Sequence, residues 1–270
     1  MAALEGKTAI VTGASSGIGA STARALAREG ARVAGGARRS DRLETDVRLE
    51  LDVTDPESSA RFVEQAVAEL GGGVDILFNN AGLSLGRDPF TASTEEDERT
   101  VLETNVNGLI RMTRLVLPHL RDGGHIVNMG SIAGRQAYEN GSIYVTSKFA
   151  VRGFTYALRE DLLGRPIRIT TVDAGLVETE FSVVRFRGDK GKADSVYEGV
   201  EPVTPDEVAE CVLFALTRPP HVNIDEIVVK ALAQSSGARV VRARSEGRRP
   251  SFPRARRVRV RSAIPTSARN

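Results

Sequence analysis

Residues 12–19 read Thr12-Gly13-Ala14-Ser15-Ser16-Gly17-Ile18-Gly19, and they stand between an apolar run at 8–11 and a helical pattern at 20–28. Each glycine answers a separate need: Gly13 allows a tight turn, Gly17 lets a pyrophosphate approach the backbone, and Gly19 permits close packing of helix on strand. The free N–H groups and the dipole at the start of the helix favour an anion there. The stretch therefore predicts a phosphate-binding turn between the first strand and the first helix.

Short apolar runs alternate with longer amphipathic stretches along the rest of the chain. We expect strands at 8–11, 31–35, 47–51, 74–78, 125–129, 167–172 and 226–229, and helices at 20–28, 56–70, 95–117, 142–163 and 204–216. Strands that alternate with helices of this length form a mostly parallel sheet covered on both faces. The pattern predicts an α/β protein: one doubly wound Rossmann domain over residues 1–236, with about seven parallel strands.

Composition excludes several classes of protein. Hydrophobic residues make up 41% and charged residues 27% of the 270 residues, which suits a globular core. No apolar run reaches the ~18 residues of a membrane span, and the N-terminus lacks the features of a signal peptide. One cysteine, Cys211, and three histidines provide no internal disulfide and little to bind zinc. We therefore expect a soluble, cytoplasmic protein with no metal site and no membrane partner.

Residues 237–270 differ in charge from the rest of the chain. They contain eleven arginines and one acid, Glu246, although the whole chain has a formal net charge of only +2. Such a segment could bind nucleic acid or an anionic membrane. Its one aromatic residue is Phe252, so the interleaving of aromatic and basic side chains that is typical of nucleic-acid binding is missing. We expect the packed fold to end near Gln234 and a poorly ordered tail to follow, with nucleic acid left open but not favoured.

Three further motifs follow the glycine turn in a fixed order. Leu51-Asp52-Val53 ends the third predicted strand, and Asn79-Asn80-Ala81-Gly82 follows the fourth. Thr104-Asn105-Val106-Asn107-Gly108 lies within the helix predicted at 95–117. Each motif alone is weak evidence for a function. Their occurrence in this order along one chain is the stronger evidence.

A tyrosine and a lysine complete the set on the helix predicted at 142–163. Tyr144 and Lys148 are four residues apart and project from one helix face, and Ser131 stands thirteen residues before Tyr144. With the motifs above, this set resembles the short-chain dehydrogenase/reductase family, over residues 7 to about 232. The resemblance implies an oxidoreductase whose catalytic residues are Asn105, Ser131, Tyr144 and Lys148.

The chemistry of these side chains suits that role. A free tyrosine has a pKa of ~10 and is a poor base, but the Lys148 ammonium and an oxidised nicotinamide would lower the pKa of Tyr144. Tyr144 could then exchange a proton with an alcohol or an alkoxide. Ser131 can donate a hydrogen bond to the substrate oxygen. The resemblance also implies that Asn105 sustains a water relay toward Lys148, which holds the nicotinamide ribose.

The expected cofactor is NADP(H). No acid follows the second strand until Asp41, and Arg38 and Arg39 stand where a 2′-phosphate would need a cation. Ala174 replaces the proline that the family usually has before Gly175, which loosens the turn near the nicotinamide. The expected cofactor contacts are Gly13, Ser15, Ser16, Gly17, Ile18, Gly19, Arg38, Arg39, Asp52, Val53, Asn79, Ala81, Gly82, Tyr144, Lys148, Gly175, Val177 and Thr179.

The segment after the sixth strand points to a substrate class. Residues 175–193, with 80–86 and 213–224, resemble the NADP-dependent 3-hydroxy acid dehydrogenase branch of the family, whose members oxidise serine, allo-threonine and related acids at the 3-hydroxyl. Such a substrate needs a cation for its carboxylate. Arg185 is the candidate, and Ser131 the expected contact of the hydroxyl.

Two other hypotheses stay open. Residues 131–135 also suit a sister branch, to which clavulanate dehydrogenase belongs, that reduces an aldehyde in secondary metabolism. A catalytically idle NADP-sensing or nucleic-acid-associated protein is the third hypothesis, and an intact Ser131, Tyr144 and Lys148 argues against it. The sequence does not decide the natural substrate, the direction of the reaction or its stereochemistry.

The family usually forms tetramers through its two long helices, here predicted at 95–117 and 142–163. The second carries small residues, Ala150, Gly153 and Ala157, which permit close approach of another helix. We therefore expect a homotetramer.

Overall fold

A seven-stranded parallel sheet lies at the centre of the protein, in a computed structural model that describes residues 2–243. The strands are β1 (Thr8–Thr12), β2 (Arg32–Ala37), β3 (Val47–Glu50), β4 (Val74–Asn79), β5 (Leu120–Met129), β6 (Arg168–Ala174) and β7 (Glu226–Val229). Their spatial order is β3-β2-β1-β4-β5-β6-β7. The chain winds outward from β1 to β3 and then resumes at β4 on the other side of β1, which opens a crevice at the carboxyl ends of β1 and β4. The predicted doubly wound fold is confirmed.

Helices cover both faces of the sheet because the inner strands are apolar on both sides. The helices are α1 (Gly17–Arg28), α2 (Pro56–Glu69), α3 (Glu95–Leu102), α4 (Leu109–Val116), α5 (Ser142–Asp161), α6 (Phe181–Arg185), α7 (Lys190–Ser195) and α8 (Pro205–Leu216). One core cluster joins the sheet to α1 and α8 and contains Leu26, Phe78 and Val212. The other joins it to α2, α4 and α5, and contains Phe62 and Met112. The sheet is thus buried from both sides.

Two helices begin at capping residues that are typical of helix N-termini. Asp55 accepts a hydrogen bond from the Glu57 amide at 3.0 Å, directly before Pro56 in the first turn of α2. At α8 the Thr204 hydroxyl accepts from the Glu207 amide, and the Glu207 carboxylate accepts from the Thr204 amide in return. These capping bonds fix the residues at which the two helices begin.

The helix predicted at 95–117 is not regular. A π-helical segment, Glu103–Gly108, separates α3 from α4 and contains Asn105. Gly108 packs closely against the loop that follows β3. A Cβ on Gly108 would lie 2.8 Å from Cγ2 of Val53. The sequence pattern has the same period on both sides, so it does not reveal the wider turn. Such π segments occur often at functional sites.

The segment 175–203, called the lid below, carries α6 and α7 and crosses the carboxyl end of the sheet. Residues 237–243 brace it. The Ala243 amide donates to the Gly199 carbonyl at 2.8 Å, and the Arg242 guanidinium donates to carbonyls that include Val196 at 3.1 Å. The Val241 amide donates to the Ala233 carbonyl at 2.9 Å. Packing therefore continues beyond Gln234.

Polar contacts explain why the chain packs beyond the predicted end. Residues 237–243 are held by backbone hydrogen bonds and one arginine, and apolar periodicity does not report such contacts. The rest of the predicted tail, 244–270, lies outside the described residues. Between residues 2 and 243, no helix combines the length and the hydropathy needed to cross a bilayer.

Candidate active site

Ser131, Tyr144 and Lys148 line one cleft at the carboxyl ends of the strands. Ser131 lies two residues after the end of β5 and caps a short helical turn, where its hydroxyl accepts a hydrogen bond from the Ala133 amide at 3.1 Å. Lys148 is only 7% exposed, and its Nζ donates to the Met129 carbonyl at 2.9 Å. Nζ also lies 5.9 Å from the centre of the Tyr144 ring. The structure thus brings together the three residues that the sequence predicts for proton transfer.

The electrostatics of this group differ from the expectation. Burial raises the pKa of Tyr144 above its usual value, against the opposing effects of the Arg185 charge and the Ser131 hydroxyl. In the protein alone, desolvation of the phenolate therefore outweighs the nearby positive charge. The predicted lowering includes the charge of an oxidised nicotinamide and stays a prediction. Burial also lowers the pKa of Lys148 to about 8, and the Asp173 charge opposes that change.

Asp173 and Arg135 form an ion pair near Lys148, and the sequence did not predict it. Asp173, on β6, is 2% exposed, and its carboxylate accepts from Arg135 Nε at 2.6 Å. Arg135 also pairs with Glu226. Burial raises the pKa of Asp173, and Arg135 acts in the opposite direction. The sequence offers one signal for Asp173: it directly precedes Ala174, the position where the family usually has proline.

Asn105 holds the wall of the cleft. Its side-chain amide donates to the Leu83 carbonyl at 2.8 Å and accepts from the Leu83 amide at 2.8 Å. It also donates to the Ser147 hydroxyl at 3.0 Å. The Asn105 side chain therefore fixes the loop at Leu83, which lines the cleft. Its three hydrogen bonds go to Leu83 and Ser147, and none of them goes to Lys148.

The cleft has a volume of about 490 Å³ and lies where the strand order reverses. Two predicted cofactor residues do not line it. Asn79 is buried, and its amide donates to Thr113 and Asn128; Gly19 packs against the turn. The predicted residues that line the cleft are Gly13, Ser15, Ser16, Gly17, Ile18, Arg38, Arg39, Asp52, Val53, Ala81, Gly82, Ser131, Tyr144, Lys148, Gly175, Val177 and Thr179. Asn80 lines it in place of Asn79 and donates to the Gly13 carbonyl at 3.2 Å.

The glycine turn fits a dinucleotide. Gly13 and Gly17 have φ of 67° and 54°, a region that other residues adopt with strain. A Cβ at Gly19 would lie 2.2 Å from the Gly13 carbonyl oxygen, so only glycine lets α1 come this close. Ser16 begins α1 without a side-chain capping bond, which leaves the first-turn amides to an anion. The turn therefore offers a backbone cradle for a pyrophosphate.

The end of the cleft beyond the glycine turn is rich in charge. Arg39 donates to the Ser16 hydroxyl at 3.1 Å and pairs with Glu180 at 2.8 Å. Arg42, which the sequence did not single out, lies 3.5 Å from the same Glu180 carboxylate. Arg38 is exposed at the rim. Two arginines thus converge on one carboxylate, which no local sequence signal indicates.

Arg185, the predicted substrate residue, lies beside Tyr144. Its guanidinium carbon is 5.1 Å from the centre of the Tyr144 ring and 5.0 Å from that of Phe181. It lines a second cavity of about 150 Å³, which Tyr138 and Tyr144 also line. Because Tyr144 faces both cavities, a substrate in the second one would meet the phenol and the guanidinium together.

Within residues 2–243, no three histidine, cysteine or acidic side chains gather in a way that could hold a metal ion. The site is built from glycine backbone, arginines and the Ser131, Tyr144 and Lys148 side chains. It has the donors for a dinucleotide on one side of Tyr144 and for a small anion on the other.

Comparison with known proteins agrees with this geometry. The family model described as short chain dehydrogenase matches residues 7–189. The chain belongs to the short chain dehydrogenase family. It is 44% identical over 257 residues to the NADP-dependent 3-hydroxy acid dehydrogenase of Schizosaccharomyces pombe, covering 90% of this chain and 99% of that protein. It is 37% identical over 240 residues to the serine 3-dehydrogenase of Agrobacterium fabrum, covering 84% and 95%.

Solved structures of other dehydrogenases have a similar fold to this short chain dehydrogenase. The closed form of a serine dehydrogenase complexed with NADP+ superposes with a TM-score of 0.80 at 38% identity, covering 88% of this chain and all of that one. An alcohol dehydrogenase from the archaeon Thermococcus sibiricus, complexed with 5-hydroxy-NADP, has a TM-score of 0.73 at 31% identity, covering 85% and 98%. The chain therefore has the fold of this family and is an oxidoreductase of it.

Proposed function

We propose that this short chain dehydrogenase uses NADP(H) to interconvert a small 3-hydroxy acid and its 3-oxo acid. The observation that carries the proposal is the position of Arg185, 5.1 Å from the Tyr144 ring at a cavity of about 150 Å³. A carboxylate paired with Arg185 would place a hydroxyl near the Tyr144 phenol. The cavity volume suits a molecule of only a few heavy atoms.

The chain's own residues perform the proton chemistry. In oxidation, ionised Tyr144 takes the proton of the substrate hydroxyl while Ser131 donates a hydrogen bond to the same oxygen. When bound, NADP+ supplies the acceptor for the hydride that leaves C3, and the product is the 3-oxo acid. In reduction, Tyr144 returns the proton to the alkoxide. The raised pKa of Tyr144 in the protein alone keeps the phenol protonated at neutral pH, the state that reduction requires.

Lys148 and the residues behind it support this exchange. The Met129 carbonyl fixes the Lys148 ammonium, and we propose that its remaining protons donate to the nicotinamide ribose. A pKa of about 8 leaves most of this amine charged at pH 7. We assign Asn105 to positioning, because its amide holds Leu83 at the cleft wall.

A preference for NADP(H) over NAD(H) is supported by the charge at the end of the cleft. Arg38 and Arg39 line it, and the second strand ends without an acid that could bind free ribose hydroxyls. The first-turn amides of α1 would hold the pyrophosphate.

A substrate screen tests the function. Purified protein is given NADP+ or NAD+ with serine, allo-threonine and related 3-hydroxy acids, and NADPH with small aldehydes and ketones, and absorbance of the reduced nicotinamide is followed. We expect the highest kcat/KM with a 3-hydroxy acid and NADP+. A higher kcat/KM with uncharged aldehydes would favour the aldehyde-reductase branch, and no turnover at all would favour the idle NADP-sensing hypothesis.

We also propose a cytoplasmic homotetramer. Helix α5 exposes Phe149 and Tyr156, which are 43% and 40% exposed, beside Gly153, where a Cβ would meet nothing within 4 Å. An apolar helix face with an open glycine suits packing against a second copy. Light scattering at micromolar concentration should give four times the mass of the chain, and a monomer would contradict the proposal.

A further inference from the structure

A carboxylate of the protein itself occupies the arginine cluster at the end of the cleft. Glu180 begins the lid helix α6, whereas Arg39 and Arg42 follow β2, about 140 positions earlier. Arg39 Nη2 lies 2.8 Å from one Glu180 oxygen, and Arg42 Nη1 lies 3.5 Å from the other. Arg39 also donates to Ser16, in the glycine turn. The Glu180 carboxylate therefore contacts two guanidinium groups, next to the glycine turn that would bind the pyrophosphate.

The Glu180 carboxylate is ionised in this arrangement. The hydrogen bond from Arg39 holds the pKa of Glu180 below its usual range, and the charges of Arg39 and Arg42 add to the effect. All three side chains are about half exposed, so the ion pairs are screened by solvent and are individually weak. An incoming dianion can therefore compete with Glu180.

We infer that Arg42 completes the 2′-phosphate site with Arg39 and Ser16, and that Glu180 is the competing anion that the phosphate displaces. The inference rests on the proposed use of NADP(H). In this fold the 2′ position of the adenosine ribose lies between the glycine turn and the residues after β2. Arg39 contacts both Ser16 and Glu180 there, and Arg42 reaches the same Glu180 carboxylate. Guanidinium groups bind carboxylate and phosphate through the same paired N–H donors.

Like charges exclude a second occupant. A phosphate dianion and the Glu180 carboxylate held by the same two arginines would repel each other, so one must leave. NAD(H) carries no charge at this position and leaves Glu180 in place. Glu180 therefore opposes binding of a 2′-phosphate and has little effect on a ribose that lacks one, while Arg42 acts in favour of the phosphate.

Two small ligands isolate this effect from catalysis. Adenosine 2′,5′-bisphosphate carries the 2′-phosphate without a nicotinamide, and 5′-AMP differs from it only by lacking that phosphate. Isothermal titration of the full chain at low ionic strength would compare both ligands across the wild type, Glu180→Gln and Arg42→Gln. Glu178→Gln serves as the matched control, because Glu178 is an exposed acid on the same segment. It makes the same change of charge two residues away.

Glu180→Gln should tighten binding of the bisphosphate by roughly three- to tenfold, the range expected for weak exposed pairs. Arg42→Gln should weaken it by a similar factor. Both variants should leave 5′-AMP binding within about twofold, as should Glu178→Gln for both ligands. Unchanged or weaker bisphosphate binding in Glu180→Gln, or unchanged binding in Arg42→Gln, would overturn the inference.

The wild type alone tests the proposal on which this inference rests. If it binds the bisphosphate no more tightly than 5′-AMP, the proposed preference for NADP(H) fails. If it prefers the bisphosphate and the variants behave like the wild type, only the roles of Glu180 and Arg42 fail. Tightening by Glu178→Gln equal to that by Glu180→Gln would show a general charge effect and would also overturn the inference.

Discussion

Two regions meet at Tyr144, and they are held in different ways. The platform, formed by Ser131 and helix α5, is fixed by the interior: Lys148 donates to a β5 carbonyl, and α5 packs on the sheet. The lid reaches the core through Val203, but its contacts near the cleft include exposed ones: Glu180 on the arginines after β2, and Arg242 on its carbonyls. Arg187 adds an ion pair from the lid to Asp97. The difference suggests that the platform sets the chemistry and that the lid, whose contacts are easier to change, sets the substrate.

The largest expected effect lies in the platform. Tyr144→Phe keeps the ring beside Arg185 and removes the hydroxyl, so turnover should fall by about a thousandfold, within the range for loss of a general acid–base group. NADPH binding, measured by fluorescence titration, should change by less than about twofold, because a hydroxyl that acts in proton transfer adds little to ground-state binding.

Tyr138→Phe is the matched control, since Tyr138 lines the same second cavity and does not line the cleft that contains Lys148. It should lose far less turnover than Tyr144→Phe. A loss below about tenfold in Tyr144→Phe, which is ~1.4 kcal/mol in barrier, would mean that another group moves the proton.

A smaller effect is expected where the lid meets the cofactor cleft. Replacing Arg38 and Arg39 together with alanine should weaken NADPH binding by about thirtyfold, ~2 kcal/mol in total, because both arginines are exposed and solvent screens their contacts with the phosphate. NADH should weaken by less than about threefold. The measurement is the dissociation constant of each reduced cofactor, and equal losses for both would show that neither arginine binds the 2′-phosphate.

The same contrast explains what the sequence could predict. The glycine turn and the tyrosine–lysine pair are local patterns with fixed spacing, and the structure places both at one cleft. The π-helical segment at Asn105 has no distinct period. Glu180 meets Arg39 across about 140 positions, and such pairing of distant charges leaves no local signal. The predicted contact Asn79 is wrong and its neighbour Asn80 lines the cleft instead. Successive residues at a strand end point in opposite directions, and the motif alone does not show which of the two faces the cleft.

The contacts at residues 237–243 change the expectation for the tail. The sequence predicts that truncation after Ser236 leaves melting temperature and turnover almost unchanged. The bonds from Arg242 and Ala243 to the lid indicate a fall of about 2–4 °C and a rise of roughly threefold in substrate KM, from loss of a few exposed hydrogen bonds.

Truncation after Ala243 is the matched comparison, because it removes most of the tail arginines and keeps the brace. It should melt within about 1 °C of the full chain, because the sequence predicts a tail that adds little to the packed fold. Equal behaviour of the two truncations would contradict a role for 237–243 in holding the lid.

The most direct test of the division between platform and lid compares one variant on two substrates. Arg185→Met keeps the bulk beside Tyr144 and removes the charge, and Arg187→Met is the control on the same lid. We expect kcat/KM for a 3-hydroxy acid to fall about thirtyfold, ~2 kcal/mol, while kcat/KM for the uncharged amide of the same acid stays within about twofold. An equal fall for the acid and the amide would contradict the account, because Arg185 would then act on Tyr144 and not on the carboxylate.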